Sequence, residues 1–421
     1  MIIVETTNKK TKNFVSSFSY TPEEVQRILF EKIQEENEIL SSNITSADQD
    51  EEKRLLGSLN YKAEKINIVS LFSGAGGLDL GVELSGAVVS EGEEKAYLTL
   101  NSKDKYLNWR KKSITNFIYS NDLFESANLT YIKNFPKSVT KVSKDIRKVL
   151  KFPDCNLMLG GFPCPGFSAA GPRLLDDPRN FLYIHYIRAL IQSKPAFFIA
   201  ENVKGLMTMA KGQVLKQMIE DFEAADYVVT PHLVNARDYG VAQNRERVFI
   251  IGVRKDIKEK YNFEYTLPKP THGTIDQPYL TLRDVIGDLS EAAEDVYDAT
   301  YSSMYMSRNR KKNWNDQSFT IQASGRQAPQ HPGGEPMEHI GKDLWAFRGD
   351  FNRRLSVREC ARIQSFPDWF EFSDGNKKHV SKNHRLNEQY KQIGNAVPVL
   401  LAEKMSRQII EFLNSHPELL V

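Results

Sequence analysis

Residues 66–81 read INIVSLFSGAGGLDLG, an apolar run that ends in a glycine-rich turn. The run at 66–72 predicts a buried strand, and residues 73–81 predict a turn that leads into a helix. Glycines at such a turn let backbone amides approach a bound ligand closely. The stretch therefore predicts the start of a ligand-binding α/β domain, and a nicotinamide dehydrogenase would fit it equally well.

Strand-like and helix-like segments alternate along the rest of the chain. The polar stretch at 101–140 predicts helices and loops, and residues 181–192 predict a helix with apolar side chains at helical spacing. Further strands are predicted at 87–90, 156–159, 195–200, 227–235 and 248–253. This alternation indicates a doubly wound, Rossmann-like α/β sheet, whose chemistry is expected at the carboxyl ends of its strands.

Composition narrows the class of protein. The 421 residues are 40% hydrophobic and carry a formal net charge of +2, so a nucleic-acid surface would have to be local. Three cysteines, Cys155, Cys164 and Cys360, cannot form a disulfide framework and indicate a reducing compartment. No Cys/His grouping has metal-ligand spacing, and no apolar run is long enough to cross a membrane. The composition predicts a soluble, cytoplasmic protein without a metal.

Residues 1–64 differ in character from the rest of the chain and predict a partly helical N-terminal extension. A helix is predicted to begin after the capping residue Thr21, and apolar residues at 25, 28, 29 and 33 share one face. Between residues 21 and 56 there are ten acidic residues against four basic ones, which argues against DNA contact. We expect an appendage that docks on the catalytic body and carries no chemistry.

Residues 159–168, LGGFPCPGFS, place a cysteine between two prolines at the end of a predicted strand. Pro163 and Pro165 fix the backbone on either side of Cys164, so the thiol is expected to project from a stiff loop. Free cysteines are, however, among the most buried residue types. Taken alone, the stretch fits a nucleophile and a structural cysteine equally well.

Acidic residues follow several predicted strands. Glu201 follows one, and Asp145 follows a short segment where it suits an adenine amino group. Glu91 follows the strand predicted at 87–90, at the point where an acid binds ribose hydroxyls in dinucleotide-type folds, and Glu93 is a close competitor.

Two arginines, Arg245 and Arg247, lie just before the strand predicted at 248–253. We expect them to point to opposite faces, one into a site and the other into the scaffold. Standing alone, the pair would fit a surface charge cluster better.

Six motifs, in this order, resemble the DNA (cytosine-5)-methyltransferase family, and they cover residues 66 to about 405. They are LFSGAGGLDLG, GGFPCPGFS, ENVKG, QNRERVFIIG, RRLSVRECARIQSFPDWF and QIGNAVP. The resemblance implies methyl transfer from S-adenosyl-L-methionine to C5 of a cytosine flipped out of double-stranded DNA. It implies Cys164 as the nucleophile that adds to C6, Glu201 as the residue that holds the N3 edge, and Arg245 as a base contact near the thiol. Arg247 is then expected to support the scaffold and the phosphate side.

The resemblance also implies a set of residues that bind S-adenosyl-L-methionine. The second acidic motif departs from the family pattern, because it reads EGEEK here, and this leaves Glu91 and Glu93 open as ribose ligands. The implied cofactor residues are Phe72, Gly74, Gly76, Glu91, Asp145, Ile146, Asn395 and Val397.

Residues 268–354 correspond to the family's variable target-recognition region. Residues 301–354 hold nine Lys or Arg against five Asp or Glu, which is typical of a local DNA-facing surface. Residues 318–329, SFTIQASGRQAP, resemble the recognition segment of enzymes that methylate GGCC or related sites. Arg326 is predicted to contact guanine in a bidentate way. The other predicted DNA contacts are Arg308, Arg310, Gln322 and Gln327.

The expected organisation has four parts. They are the extension at 1–64, a catalytic and cofactor-binding domain at 65–285, a smaller target-recognition domain at 286–385, and a segment at 386–421 that returns to the catalytic domain. Helices are predicted at 353–370 and 399–413, with Cys360 in the core.

The expected protein is a monomeric modification enzyme of a bacterial restriction-modification system, with a partner subunit left open. The alternatives are an RNA cytosine-5 methyltransferase of the same fold and an inactive or partner-dependent DNA-binding homologue. A recognition region of this length argues against the first, and intact Cys164, Glu201 and Arg245 argue against the second.

Overall fold

The computed structural model describes residues 20–163, 182–376 and 378–421. Within these ranges the chain forms fourteen α-helices and nine β-strands. The strands are β1 (Ile66–Leu71), β2 (Thr115–Asn121), β3 (Thr140–Val142), β4 (Leu157–Gly160), β5 (Phe197–Val203), β6 (Tyr227–Asn235), β7 (Glu246–Arg254), β8 (Glu338–Gly341) and β9 (Leu344–Ala346). The helices are α1 (Pro22–Ser42), α2 (Ser46–Gly57), α3 (Gly77–Glu91), α4 (Glu93–Leu100), α5 (Lys103–Arg110), α6 (Glu125–Asn134), α7 (Tyr183–Ser193), α8 (Gln213–Ala224), α9 (Lys255–Tyr261), α10 (Leu282–Ile286), α11 (Ser303–Met306), α12 (Val357–Ile363), α13 (Lys382–Asn395) and α14 (Val399–Ser415).

The described strands β1 to β7 form one sheet in the order β3-β2-β1-β4-β5-β7-β6. Neighbouring strands are parallel from β3 to β5, and β7 runs antiparallel to both of its neighbours. The strand order reverses between β1 and β4, and open α/β sheets bind ligands in the crevice at such a point. The prediction of a doubly wound, Rossmann-like sheet is therefore confirmed.

Helices cover both faces of the sheet, which explains why its central strands are continuous apolar runs. Successive residues of β1, such as Ile68 and Val69, point to opposite faces of the sheet and belong to separate hydrophobic cores. Helix α14 returns from the end of the chain and packs on α3, where a Cβ on Gly81 would lie 2.4 Å from Ala402 Cβ. This return places the C-terminal segment against the catalytic domain, as the sequence predicts.

The strand predicted at 87–90 is wrong, because these residues form the end of α3. A short apolar run is ambiguous between a strand and a buried helix. Here residues 87–90 continue α3, and Ala87 belongs to the same hydrophobic core as the apolar residues of α14. The second strand of the sheet is β2, which lies inside the stretch predicted to be helices and loops.

The N-terminal helix is confirmed and runs from Pro22 to Ser42. The Thr21 side chain accepts a hydrogen bond from the Glu24 amide, and the Glu24 side chain accepts one from the Thr21 amide, so the two form a capping box. A second helix, α2, follows in the acidic stretch. Helix α1 packs against α8, where Gln26 donates a hydrogen bond to the carbonyl of Ala224. Helix α2 contacts the loop between β3 and β4.

Short elements joined by loops make up most of residues 286–385. The helix predicted at 353–370 is much shorter, because the capping residue Ser356 starts α12 and Ser365, with φ of 60°, follows its end. Arg354 is buried and donates to the carbonyls of Tyr297 and Ala299, while Cys360 is buried in the core as expected. In the part of the chain that the structure describes, no helix is long and apolar enough to cross a membrane.

Candidate active site

A cavity of ≈ 460 Å³ opens at the carboxyl ends of β1, β2, β4 and β5, where the strand order reverses. Its walls come from the turn after β1, the loops after β2 and β3, the residues after β4, the end of β5 and the end of α13. Its volume lies in the range of small-molecule sites. The position and size fit the crevice that the sequence predicts.

Glu201 lies near the end of β5 on the wall of this cavity. Its carboxylate Oε1 is 2.8 Å from Nε of Arg247, and both side chains are almost fully buried. Arg247 lies opposite Val203 in the β5–β7 ladder, so Glu201, two residues earlier, shares its face of the sheet. Glu201 thus brings a carboxyl group to the cavity wall, and Arg247 holds it by an ion pair.

Burial raises the pKa of the Glu201 carboxyl above its ordinary value, because desolvation outweighs the attraction of Arg247 and Arg245. The charge of Arg247 opposes this shift. A carboxyl group under these two influences suits the holding or sharing of a proton with a bound base.

Arg245 takes a different position from the one the sequence predicts. Its guanidinium is fully buried and donates to the carbonyls of Ile321, Gly394 and Ala396 at 2.7 to 3.1 Å. It therefore ties the recognition region to the end of α13, and it is not among the residues that line the cavity. In this geometry Arg245 holds the scaffold, and Arg247, not Arg245, pairs with Glu201. Which of the two arginines contacts the base stays a prediction.

The two arginines diverge as expected, but strand alternation is not the reason. Residues two apart in a strand point to the same face. They separate here because β7 begins at Glu246, so Arg245 lies outside the regular alternation.

The loop after β4 lies close to the Glu201 side chain. A Cβ on Gly161 would lie 3.7 Å from Oε2 of Glu201, and Nδ2 of Asn202 donates to the carbonyl of Phe162 at 3.0 Å. Phe162 and Pro163 also line the cavity. Cys164 is the next residue in the chain and lies outside the described residues, so the prediction of the nucleophile remains a prediction.

The turn after β1 forms the opposite wall. Phe72 has φ of 53° and Gly74 has φ of 54°, and both line the cavity. Gly76 has φ of 87°, and a Cβ there would lie 2.4 Å from the Phe135 ring. Only glycine fits that position, because both the left-handed backbone and the aromatic contact exclude a side chain.

Two carboxylates project from the ends of neighbouring strands. Asp122 follows β2 and accepts hydrogen bonds from the amides of Gly74 and Phe124, both at 2.8 Å. Asp145 follows β3 and pairs with Arg147, whose hydrogen bonds hold the pKa of Asp145 below its ordinary value. Both line the cavity, and Asp145 remains a charged acceptor there.

Glu91 does not belong to this site. It lies at the end of α3, pairs with Lys95 at 3.3 Å and is not among the cavity's lining residues. Its competitor Glu93 is bound to Lys404 and Arg407 of α14. Glu91 therefore lies outside the cavity that it was predicted to line, and Asp122 lines the cavity instead.

Three more of the predicted cofactor residues line the cavity, and their role stays a prediction. Ile146 lines the cavity beside Asp145, and Asn395 and Val397 reach it from the end of α13. Sequence reasoning missed Lys391, which also lines the cavity and lies with Nζ 3.9 Å from the centre of the Phe124 ring. Nothing in the local sequence around Lys391 distinguishes it from other surface lysines.

The predicted DNA contacts fall into two groups. Arg308, Gln322 and Arg326 are exposed. Arg310 is buried, and it donates to the side chain of Gln327 at 2.8 Å while its guanidinium lies 4.7 Å from the Tyr305 ring centre. Arg310 and Gln327 are therefore engaged with each other, and the prediction that they contact DNA is not supported by their positions.

The recognition segment lies beside the cavity. The side chain of Thr320 donates to the Asn244 carbonyl, just before β7, and the Ile321 amide donates to the buried side chain of Gln243. A Cβ on Gly394 would lie 2.3 Å from the carbonyl carbon of Gln322. This packing fixes residues 320–322 against the catalytic domain, next to the cavity wall.

Comparison with known proteins gives a consistent result. Residues 66–411 match the family model described as C-5 cytosine-specific DNA methylase. The chain is 56% identical over 406 residues to the type II methyltransferase M.BsuRI of Bacillus subtilis, covering 94% of this chain and 91% of that protein. It is 52% identical over 413 residues to the type II methyltransferase M.BspRI of Lysinibacillus sphaericus, covering 97% and 95%.

A solved structure of DNMT2 from Spodoptera frugiperda resembles this chain in fold. The match has a TM-score of 0.53 at 16% identity and covers 83% of this chain and 100% of that one. At this identity the likeness concerns the fold alone.

Proposed function

This chain belongs to the C-5 cytosine-specific DNA methylase family, and from that premise we propose how it acts and on which site. It is a DNA (cytosine-5)-methyltransferase, and its relatives are the methyltransferases of type II restriction-modification systems. We propose that it methylates a cytosine in a GGCC-like site of duplex DNA through a covalent adduct between Cys164 and C6 of the base. The observation that carries the proposal is Glu201, which lines the cavity in a pair with Arg247, beside the loop that leads into Cys164.

The reaction needs a nucleophile because C5 of cytosine is itself a poor one. The Cys164 thiolate forms a bond to C6, and the electron pair of the C5–C6 double bond becomes available at C5. Glu201 shares a proton with N3 and so stabilises the negative charge that the addition pushes into the ring. S-Adenosyl-L-methionine would supply the methyl group to C5. The C5 proton then passes to water, and its bonding electrons restore the C5–C6 double bond as the C6–S bond breaks and the thiolate departs.

Arg247 serves this chemistry by orienting Glu201. Its Nε holds one carboxylate oxygen at 2.8 Å, which leaves the other oxygen to face the base. Because both groups are buried, the orientation is fixed before the base arrives, and little reorganisation is needed during the reaction. The base itself must leave the duplex, since the thiolate can approach C6 only from above the ring plane.

S-Adenosyl-L-methionine would supply an electrophilic methyl group in this cavity. The donor and acceptor set fits it, because two carboxylates from adjacent strand ends match a ribose diol and an adenine amino group. We propose that Asp122 binds the ribose and that Asp145 and Ile146 bind the adenine. The rest of the cofactor would be enclosed by Phe72, Gly74, Asn395 and Val397. Gly76 would allow the backbone conformation that the turn needs.

The Asp122→Ala variant is expected to bind S-adenosyl-L-methionine about tenfold to a hundredfold more weakly, because a hydrogen bond to a charged group contributes about 1.5–3 kcal/mol. The Glu91→Ala variant is the matched control and should bind normally, since Glu91 faces Lys95 outside the cavity. Isothermal titration of the cofactor into each full chain measures both affinities. The opposite ranking, with Glu91→Ala the weaker binder, would overturn the assignment of Asp122.

The GGCC specificity rests on the resemblance of residues 318–329 to recognition segments of that group. Arg326 and Gln322 are exposed on this segment, which packs beside the cavity. A guanidinium presented in this way suits bidentate contact with O6 and N7 of guanine.

Methyl transfer to duplexes that contain GGCC, or the permuted sequence GCGC, tests the proposed site. We expect labelled 5-methylcytosine only in the GGCC duplex, and a loss of about tenfold to a hundredfold in kcat/KM for Arg326→Ala, as for loss of one bidentate base contact. The exposed Lys342→Ala variant removes the same charge from the same region and serves as the control. Equal transfer to both duplexes would end the GGCC proposal, and no transfer to any duplex would end the proposed activity.

A further inference from the structure

The two N-terminal helices contact a cofactor-proximal loop, although they lie before residue 66, where the family match begins. This loop, which we call the β3–β4 loop, comprises residues 143–156 and carries Asp145 and Ile146 on the cavity wall. Its conformation therefore decides how these two residues are presented. The sequence predicts no catalytic residue in the extension. Its contacts with this loop therefore need a role other than catalysis.

Glu52 of α2 makes the central contact. Its side chain is almost fully buried, and Oε1 accepts hydrogen bonds from the amides of Leu150 and Lys151, both at 3.1 Å. A buried acid is costly unless it is paired or hydrogen-bonded, and here two backbone amides of the β3–β4 loop meet that need. Its neighbour Glu51 is exposed and pairs with Lys144 at 3.2 Å. The same lysine lies 3.9 Å from Oε2 of Glu52.

Arg188 of α7 makes a second contact with the same loop. Its Nη2 donates to the carbonyls of Ile146 and Val149 at 2.9 and 2.8 Å. Its Nη1 donates to Oδ1 of Asn37 in α1 at 3.5 Å. The β3–β4 loop is thus held on both sides of its middle, once by α2 and once by an arginine that α1 also contacts.

We propose that Glu52 is a positioning residue for cofactor binding: by accepting the Leu150 and Lys151 amides, it holds the β3–β4 loop in the shape that presents Asp145 and Ile146 to the cavity. The inference rests on the proposed role of Asp145 in binding S-adenosyl-L-methionine. If the loop adopts the binding-competent conformation in only a fraction of the molecules, the apparent cofactor Kd is the intrinsic Kd divided by that fraction. Glu52 acts by keeping that fraction near one.

The test measures S-adenosyl-L-methionine binding by isothermal titration and initial rates at varied cofactor, with the full chain. Glu52→Ala leaves both amides without their acceptor, so we expect the cofactor Kd and KM to rise about tenfold. The kcat at saturating cofactor and the affinity for duplex DNA should stay within about twofold of wild type, since neither depends on this loop. A general loss of structure would lower all of these together.

Two variants separate the hydrogen bonds from the charge. Glu52→Gln keeps Oε1 as an acceptor for both amides and is expected to bind the cofactor as wild type does. Glu51→Ala removes a neighbouring carboxylate from the same helix and should also be normal. If Glu52→Ala does not fold, Glu52→Asp replaces it, because the shorter side chain keeps the charge but withdraws the acceptor from the amides.

Asp145→Ala distinguishes this inference from its premise. Weaker cofactor binding by Asp145→Ala together with unchanged binding by Glu52→Ala would overturn the role of Glu52 alone. Unchanged binding by Asp145→Ala would overturn the proposed cofactor assignment. Equal losses in Glu52→Gln and Glu52→Ala would show that charge, and not the two amide contacts, matters.

Discussion

On a duplex that carries 5-fluorocytosine at the target position, the wild-type chain is expected to be trapped as a covalent adduct and the Cys164→Ala variant to form none. The fluorine cannot leave C5 as the proton does, so the thiolate stays bonded to C6 after methyl transfer. The adduct survives denaturation and migrates as a protein–DNA species on a denaturing gel. Methyl transfer to ordinary DNA should fall below detection in the same variant.

The other two cysteines supply the control. Cys155 and Cys360 are buried, and burial raises the pKa of both thiols, so they stay protonated and unreactive. Cys155→Ala is therefore expected to form the adduct as wild type does. An adduct in Cys164→Ala would show that another group is the nucleophile, and no adduct in wild type despite normal DNA binding would favour an inactive or partner-dependent homologue.

Matched lysine substitutions at the two arginines are expected to have opposite effects. Arg247→Lys keeps a positive charge near Glu201 but loses the planar Nε donor that orients the carboxylate. We expect kcat to fall by about a hundredfold, as for loss of one preorganised donor in an active site. The melting temperature should change little.

Arg245→Lys should instead destabilise the fold. A lysine cannot reach the three separate carbonyls that the buried guanidinium satisfies, so part of this buried network is left unpaired. We expect a loss of about 2 kcal/mol in the free energy of unfolding, with kcat of the folded enzyme close to wild type. Thermal unfolding and steady-state kinetics on both variants measure this contrast, and an unchanged kcat in Arg247→Lys would restore the assignment made from the sequence.

Several strands of the sheet were predictable from local sequence. Strands β1 and β7 match their predicted ranges within two residues, because strands buried on both faces must be continuously apolar. Strand β6 also matches its predicted range, although it lies at the edge of the sheet and is only partly buried. Strand β2 escaped prediction because its apolar centre, residues 117–119, is flanked by Asn and Ser in a polar region. These polar side chains are buried, and Asn121, for example, donates to the carbonyls of Val142 and Lys144 across the sheet edge.

The missed strand explains the missed acid. A second strand at 87–90 would end just before Glu91, and this is why the sequence predicts Glu91 as the acid at that position. The sequence FIYSND at 117–122 contains the same signal, an apolar run followed by an acid. Its polar surroundings hide the strand from prediction. The position of Asp122 beside Gly74 is then a consequence of the pairing of β1 with β2, which brings their carboxyl ends together.

The sequence by itself determined the fold class, the order of the motifs and the placement of Glu201 at a strand end. These depend on local properties, namely apolar periodicity, glycine turns and residue type. Only the tertiary structure decided that Asp122 and not Glu91 lines the cavity, that Arg247 and not Arg245 holds Glu201, and that Arg310 and Gln327 are engaged with each other. The physical reason is that each of these choices depends on which strand or loop becomes the neighbour, and a charged side chain's partner is set by that neighbour rather than by its own flanking residues.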